Sequence, residues 1–392
     1  MAYDLDVLTP EQLRARGTVK WTRFPSDILP MFVAEMDYPT APEIMAALHR
    51  WVDREAFGYP MGAQITGLAE ATAEFAANHY GWPVDPADVL DVPDVMRGML
   101  VAIETFTAPG DRVILTTPVY MPFFEVLDFA GREQVRIPLI EQDGIPTLDL
   151  DAIDAAFAGG ATAILLSHPH NPNGTEFAAE ILLGLAEIAD RHGARVISDE
   201  IHGPLVFDRR HRPYAALSEA AATHGITVTA ASKAWNIPGL KCAQIITSNP
   251  ADRARIAATP EMLRYGTAQV GYAGTVAAYR EGGPWLEAVL AKLDAHRRLV
   301  VDAVAQWPGV RTRLNDATYL QWLDFTDLEL TEEPSHWLAR EARVMLNVGT
   351  TFGAEPFRCA RLNFATTTAL LHDGLKRIGE VITRRATGGG ST

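Results

Sequence analysis

Apolar and polar positions divide this chain into two regimes. Between roughly residues 85 and 250, short β-rich runs alternate with stretches of helical period, the pattern of βαβ units and a mostly parallel sheet covered on both faces. The strand candidates are Val113 to Thr116, Ala161 to Leu166, Val196 to Ser198, Thr227 to Ala230 and Ala243 to Thr247. In one unit Ile181, Leu182, Leu185, Ile188 and Ala189 recur at helical spacing, and Gly193 stands where that helix should stop. The strand before it ends near Ser167 and the strand after it near Ser198. Both carboxyl ends therefore open on one sheet edge, where ligands bind in such folds, and polar residues just past them become candidates for function.

After about residue 275 the pattern changes to a long helix, with Leu286, Val289, Leu290 and Leu293 as its apolar stripe. Shorter strands follow near Tyr319 to Leu323 and Arg361 to Phe364, which predicts a second, smaller domain. The first 45 residues carry Pro10, Pro25, Pro30, Pro39 and Pro42 and are expected to form an extended arm, because proline blocks helix interiors and sheet centres. The segment from Arg384 to Thr392 has nothing to bury and is expected to be mobile.

A chain of 392 residues exceeds what one core organises, in line with more than one domain. At 48% hydrophobic and 21% charged the composition is that of a globular protein, which sets aside extended disorder and fibrous repeats. A net charge of −15 without any basic block repels a polyphosphate backbone and makes nucleic acid a poor partner. Cys242 and Cys359 have neither metal-type spacing nor the look of a disulfide framework, so reduced thiols are expected. The N-terminal residues lack the features of a secretory signal and no apolar run reaches membrane-spanning length, so the expected location is cytoplasmic, with no membrane partner.

Segments at strand ends or turns are polar where a scaffold has no need of polarity. Ser167-His168-Pro169-His170-Asn171-Pro172-Asn173-Gly174 is a turn in which Asn171 could merely cap a helix or form an Asx turn. Ser198-Asp199-Glu200-Ile201-His202 follows an apolar strand, and Asp199 has the same plain alternative of a cap. In the segment Thr229 to Lys241, Lys233 is flanked by small, aromatic and apolar residues. A solvated loop lysine is the ordinary reading, but partial desolvation would lower the amine's pKa and make it the nucleophile that a Schiff base requires.

The series Tyr59, Tyr120, N-P-N-G, S-D-E-I-H, S-K-A-W-N-I-P-G-L-K and the late R-L-N resembles the fold-type I pyridoxal-phosphate enzymes of the class I/II aminotransferase superfamily. P-M-F-V-A-E-M-D-Y-P (30–39), F-G-Y-P (57–60), S-D-E-I-H and S-K-A-W-N-I-P-G-L are most similar to its cystathionine β-lyase-like carbon–sulfur lyase branch. The likeness runs from about Pro30 to Thr366 in consistent order. It implies an α/β fold: a mostly parallel seven-stranded sheet in a large domain sandwiched by helices, plus a smaller α/β domain. The division that goes with it is 1–45 as arm and part of the small domain, 46–274 as the large cofactor domain, 275–383 as the small domain and 384–392 as a flexible tail.

The resemblance also implies roles. Lys233 would carry pyridoxal 5′-phosphate and, once displaced by substrate, remove the Cα proton. Asp199 would pair with the pyridine nitrogen, because a buried carboxylate there keeps the ring protonated. Asn171 would donate to the phenolate oxygen, with His202 supporting that oxygen or Asp199, and Tyr120 would stack on the ring. The phosphate would sit at the helix opening near Asp94, Val95 and Met96, on backbone N–H groups and the helix dipole, with Ser232 and Lys241 completing the pocket. Tyr59 would reach the phosphate of a neighbouring subunit, which implies a homodimer with shared sites. Arg361 would clamp the substrate carboxylate through its guanidinium fork, the alternative being a surface ion pair. Two departures touch the phosphate cup: Ala230 stands where many relatives place Ser, and the acidic Asp94 precedes the phosphate helix.

His168, His170, His192, His211 and His224 lack H-x-x-x-H spacing, so no metal is expected, and the phosphate loops of nucleotide-binding proteins and the G-x-S-x-G elbow are absent. The lyase-like motifs imply β-elimination from a cysteine thioether or S-conjugate to thiol, pyruvate and ammonia, with Lys233, Tyr120 or Tyr59 protonating the leaving sulfur. The alternatives are an aminotransferase acting on an amino acid or biosynthetic intermediate, and a cofactor-bearing regulatory protein with little turnover.

Overall fold

The computed structural model describes residues 3–59 and 62–388, with the backbone alone at 64, 65 and 388. The chain separates into two compact units, one of residues 40–170 and 175–286, the other of residues 1–39, 171–174 and 287–392.

The larger unit is built on seven strands: β1 (Val89–Val92), β2 (Arg112–Thr117), β3 (Glu133–Pro138), β4 (Ala161–Ser167), β5 (Arg195–Asp199), β6 (Gly225–Thr229) and β7 (Ala243–Thr247). Their order is β1-β7-β6-β5-β4-β2-β3. The β3/β2, β2/β4, β4/β5 and β5/β6 pairs are parallel, and β7 runs antiparallel to both of its neighbours. Burial on both faces explains why these strands read as continuous apolar runs. Val113, Leu115, Leu165 and Ile197 enter one core cluster, while Ile114, Leu166 and Val196, one pleat away, enter another. The first cluster is closed by helix α1 (Val95–Phe106) through Met99 and Val101, the second by α2 (Ala179–His192) through Leu182 and Leu185. Helix α2 ends where its sequence says it should, on Gly193 in the left-handed conformation.

Helix α1 lies unusually close to β6. A Cβ on Gly98 would stand 2.5 Å from Val228 Cγ1, so only glycine lets the first turns of the helix approach the strand that leads to Lys233. Strands β1 and β3 were not among the sequence candidates. β3 is an edge strand with exposed Glu133, Arg136 and Pro138, and it lacks the apolar run that marks its neighbours.

In the smaller unit, β8 (Leu320–Asp324), β9 (Asn347–Val348) and β10 (Cys359–Asn363) form an antiparallel sheet with β10 in the centre. The expected extended arm is not what the first residues form. Pro10 opens the helix Pro10–Ala15, with Thr9 as its side-chain cap, and the strand Leu29–Pro30 pairs in parallel with Val344–Met345. Proline at the first helical position sacrifices no hydrogen bond, and an edge strand tolerates it, so these prolines start and border elements instead of preventing them. Pro42 likewise opens a helix, Pro42–Asp53, in the larger unit. Residues 3–39 are anchored by a buried ion pair, Lys20 Nζ to Asp37 Oδ2 at 2.7 Å, with the Trp21 indole donating to Asp37 Oδ1 at 2.7 Å. The presumed tail is a correction as well: helix Thr368–Gly388 continues through residues 384–388, because Arg385 reaches the Leu328 carbonyl and lies over the Trp337 ring. Residues 389–392 of that tail fall outside the described residues.

The turn 171–174 groups with the smaller unit, where the Gly174 carbonyl accepts from the Asp316 and Ala317 N–H groups at 2.9 and 3.0 Å. Gly174 has φ of +65°, and a Cβ there would meet Asn315 Cβ at 2.7 Å and the Ala317 carbonyl oxygen at 2.8 Å. Gly174→Ala is expected to cost about 1–3 kcal/mol of unfolding free energy, read from urea denaturation midpoints at unchanged slope.

Candidate active site

Strands β2, β4, β5 and β6 are neighbours and parallel, so their carboxyl ends fall on one edge of the sheet, and Tyr120, Asp199, His202 and Lys233 lie at or just past those ends. Tyr120 follows β2, half-buried, with its ring edge-on to Phe123 at 6.0 Å between centroids. Asp199 is the last residue of β5, in register with Ser167 of β4 and Val228 of β6. Its carbonyl accepts from the His168 N–H at 2.9 Å, and its Oδ1 accepts from the Ile201 N–H at 3.1 Å. Burial pushes the Asp199 carboxyl up to about 7, against the opposing pull of the Ile201 N–H and the Lys233 ammonium. The Asp199 and Lys233 charges thus act on one another across adjacent strands.

Lys233 is half-buried inside the turn Ala231–Asn236 that follows β6. That turn is closed by the Trp235 N–H on the Ala231 carbonyl and the Ile237 N–H on the Ser232 carbonyl, both at 3.0 Å, which fixes the backbone on either side of the amine. His202 is buried and begins the 3₁₀ turn Gly203–Leu205, its carbonyl accepting from the Leu205 N–H at 2.8 Å.

At the start of α1, Val95 is buried and Met96 half-buried, and Asp94 is the cap, Oδ1 accepting from the Arg97 N–H at 2.9 Å. The concern that an acidic residue here would oppose a phosphate is answered by its partner. Lys241 Nζ lies 2.8 Å from Asp94 Oδ2, and although burial would raise the Asp94 pKa, the Lys241 and Arg97 hydrogen bonds outweigh it and lower it. Lys241 thus neutralises the cap of the very helix it was expected to complement. Tyr59 is 89% exposed, in a surface groove of about 560 Å³ whose walls include Trp51, Phe57 and Tyr265.

In the smaller unit Arg361 belongs to β10 and is buried, which rules out the surface ion pair. Its Nη1 donates to Asn171 Oδ1 and its Nη2 to Asn347 Oδ1, both at 2.7 Å, and the guanidinium lies 4.8 Å over the Phe352 ring. Two amides and an aromatic ring therefore hold the fork in place.

The sequence reading missed a cluster behind Asp199. His211 places Nδ1 3.0 Å from Glu176 Oε1 and Nε2 3.2 Å from Glu200 Oε2, and the nearby His168 Nε2 lies 3.5 Å from Glu176 Oε1. His168, Glu176 and His211 are buried, with ligand-type atoms within 4.8 Å of one another. No spacing motif announces partners separated by 35 residues, although Glu200 stood inside the S-D-E-I-H segment. Pocket-like space near residues 51–59 and 265–270 was equally silent in the sequence.

The chain matches the family Aminotransferase class I and II over residues 26–378. It is 43% identical to cystathionine β-lyase of Corynebacterium glutamicum over 372 residues, covering 95% of this chain and 98% of that one. A solved structure from Corynebacterium diphtheriae, assigned as a PLP-dependent β-cystathionase, superposes with a TM-score of 0.91 at 40% identity, covering 97% of this chain and 99% of the other. Cystalysin of Treponema denticola, solved with a pyridoxal 5′-phosphate cofactor, gives a TM-score of 0.91 at 26% identity, covering 98% of this chain and 99% of that one.

Because Asp199 is raised from 3.8 to about 7 by burial, the cofactor-free protein contains a carboxyl that folding prefers to keep protonated. The stability that this preference contributes is complete below the unfolded pKa and is lost as pH rises through the folded value. Relative to Asp199→Asn, the cofactor-free wild type is expected to lose thermal stability steadily between pH of about 4 and about 7, measured by calorimetry on both proteins in parallel.

Proposed function

This chain belongs to the class I and II aminotransferase family, and from that premise we propose that it is a pyridoxal-phosphate-dependent carbon–sulfur β-lyase. It splits a cysteine thioether or S-conjugate, with water, into a thiol, pyruvate and ammonium. The observation that carries this reading is the 43% identity, over nearly the full length of both chains, to a cystathionine β-lyase. The residues present fit the cofactor: a carboxylate whose burial favours a cationic partner, a half-buried lysine in the turn after the adjacent strand, and a helix start whose acidic cap is already neutralised.

Pyridoxal phosphate, when bound, supplies the electron sink that makes a substrate Cα–H acidic. Lys233 would hold it and, once displaced by the substrate amine, would take the Cα proton. Asp199 would keep a proton on the ring nitrogen, and Tyr120 would cover the ring face. Asn171 accepts from Arg361 through its Oδ1, and its Nδ2 would donate to the phenolate oxygen, with His202 in support. The N–H groups of Val95 and Met96, the Ser232 hydroxyl and the Lys241 ammonium would receive the phosphate. Arg361, already oriented by Asn347 and Phe352, takes the substrate carboxylate and so chooses which Cα bond is broken. With the Cα proton on Lys233 and the Cβ–S bond broken, Lys233, Tyr120 or Tyr59 would return a proton to the departing sulfur.

A second copy of the chain completes the site. Phe57 (70% exposed), Tyr59 (89%) and Tyr265 (51%) are large apolar side chains left in solvent around one groove. Covering them is the ordinary reason for a homodimer, and it brings Tyr59 to its partner's phosphate. The location is cytoplasmic; among the described residues no helix is long and apolar enough to cross a membrane.

Purified protein supplied with the cofactor is expected to release thiol and pyruvate in equal amounts from L-cystathionine. Accumulation of the cofactor's amino form without thiol would instead make the chain an aminotransferase. Lys233→Ala is expected to abolish borohydride fixation of the cofactor to the protein and to slow elimination by about 10²–10⁴-fold or more. Sedimentation equilibrium should report a dimer that Phe57→Asp together with Tyr265→Asp converts to monomers.

A further inference from the structure

Glu200 follows Asp199 directly, is buried, and holds its neighbours tightly. Its Oε1 accepts from the Ser198 hydroxyl at 2.8 Å and the Tyr214 N–H at 2.9 Å, and its Oε2 faces His211 Nε2 at 3.2 Å. Its own N–H donates to the Val228 carbonyl at 2.8 Å. Beyond His211, Glu176 accepts from His211 Nδ1 at 3.0 Å and from the Arg212 N–H at 3.3 Å. Both His211 ring nitrogens therefore face carboxylate oxygens, an arrangement that only the doubly protonated ring satisfies. Burial lowers the His168 pKa against the opposing pull of Glu176 and Glu200, which keeps that ring neutral near pH of about 7, its Nε2 3.3 Å from the Arg212 carbonyl.

We infer that Glu200 and His211 are positioning residues that act through Asp199: with Glu176 they form a buried carboxylate–imidazolium–carboxylate bridge whose one surplus negative charge strengthens Asp199's hold on a proton. The inference rests on the reading of Asp199 as the partner of the ring nitrogen. Two carboxylates share one imidazolium, so a single negative charge stays uncompensated, and Glu200 is the end of the bridge adjoining Asp199. In a buried setting such a charge is weakly screened. The electrostatics agree. Burial alone would lower the His211 pKa, but Glu176 and Glu200 outweigh it and raise it to about 10, and Glu200 adds to the rise of Asp199. The charged groups acting on Asp199 are Lys233, from the turn after β6, and Glu200. Those around the His211 ring are Glu176, Glu200, His168 and the Tyr80 phenol, whose ring lies edge-on at 5.3 Å, with His79 and Arg210 beyond.

The test follows the proton directly, in holoenzyme reconstituted with ¹⁵N-labelled pyridoxal phosphate, by the ring-nitrogen chemical shift as pH is raised. In parallel, the Asp199 carboxyl carbon is titrated in cofactor-free protein. Glu200→Gln keeps an acceptor for Ser198 and Tyr214 but removes the charge. It is expected to lower both midpoints by about one pH unit, tenfold in the protonation constant. Glu176→Gln, which removes the surplus charge at the far end of the bridge, should shift them in the same direction by less, and it stands in if the first variant does not fold. A purely structural bridge would lower the melting temperature and leave both titrations where they are in wild type, and that result overturns the inference. A ring nitrogen unprotonated in the wild-type holoenzyme would instead overturn the reading of Asp199, a separate failure.

Discussion

A single buried carboxylate constrains much of this structure. Asp199 sits at the end of a central strand of a sheet with both faces covered, and a charge there is costly unless a cation meets it. The protein offers partial compensation, one backbone N–H and the field of Lys233, and these do not offset the desolvation. A carboxyl left in this state gains from any cation brought against it, and under the proposed function that cation would be the protonated ring of the cofactor, the electron sink that the elimination requires.

Close packing of α1 on β6 at Gly98 brings a helix start toward the strand that precedes the Lys233 turn, and Lys241 cancels the charge of the helix cap. Behind Asp199 the bridge of Glu200, His211 and Glu176 is satisfied at both ring nitrogens and anchored by Ser198 and Tyr214. Half-satisfied buried polar networks are among the most destabilising features a core can hold; a saturated one makes a rigid mount. In the smaller unit the Arg361 guanidinium is held at two of its nitrogens by the Asn171 and Asn347 amide oxygens and lies over the Phe352 ring.

Much of this architecture was legible along the chain, and the parts that were not have definite causes. The strands buried on both faces carry uninterrupted apolar runs, so β7 was located to the residue and β2, β4, β5 and β6 to within a few. The edge strand β3 has polar positions on its solvent side and gave no such signal. The prolines of the first 45 residues were misleading because their effect depends on position. At the start of a helix proline is favourable, and whether Pro10 and Pro42 start helices depends on what those helices pack against. Residues 384–388, polar and low in complexity, looked idle until the fold put Leu328 and Trp337 beneath Arg385.

Local chemistry fixed by residue type was available from the sequence alone: a lysine past an apolar strand, an acid at a strand end, and the order of the motifs, the arginine of R-L-N among them. Those properties depend on side-chain chemistry and short-range periodicity, which a linear chain displays in full. What folding alone decided is which charges meet. Asp94 with Lys241, Glu176 with His211, and Arg361 with Asn347 are pairings between segments distant in the chain. The strength of a charge depends on the distance to its partner and on the water removed around it, and both quantities exist only once the chain has closed on itself.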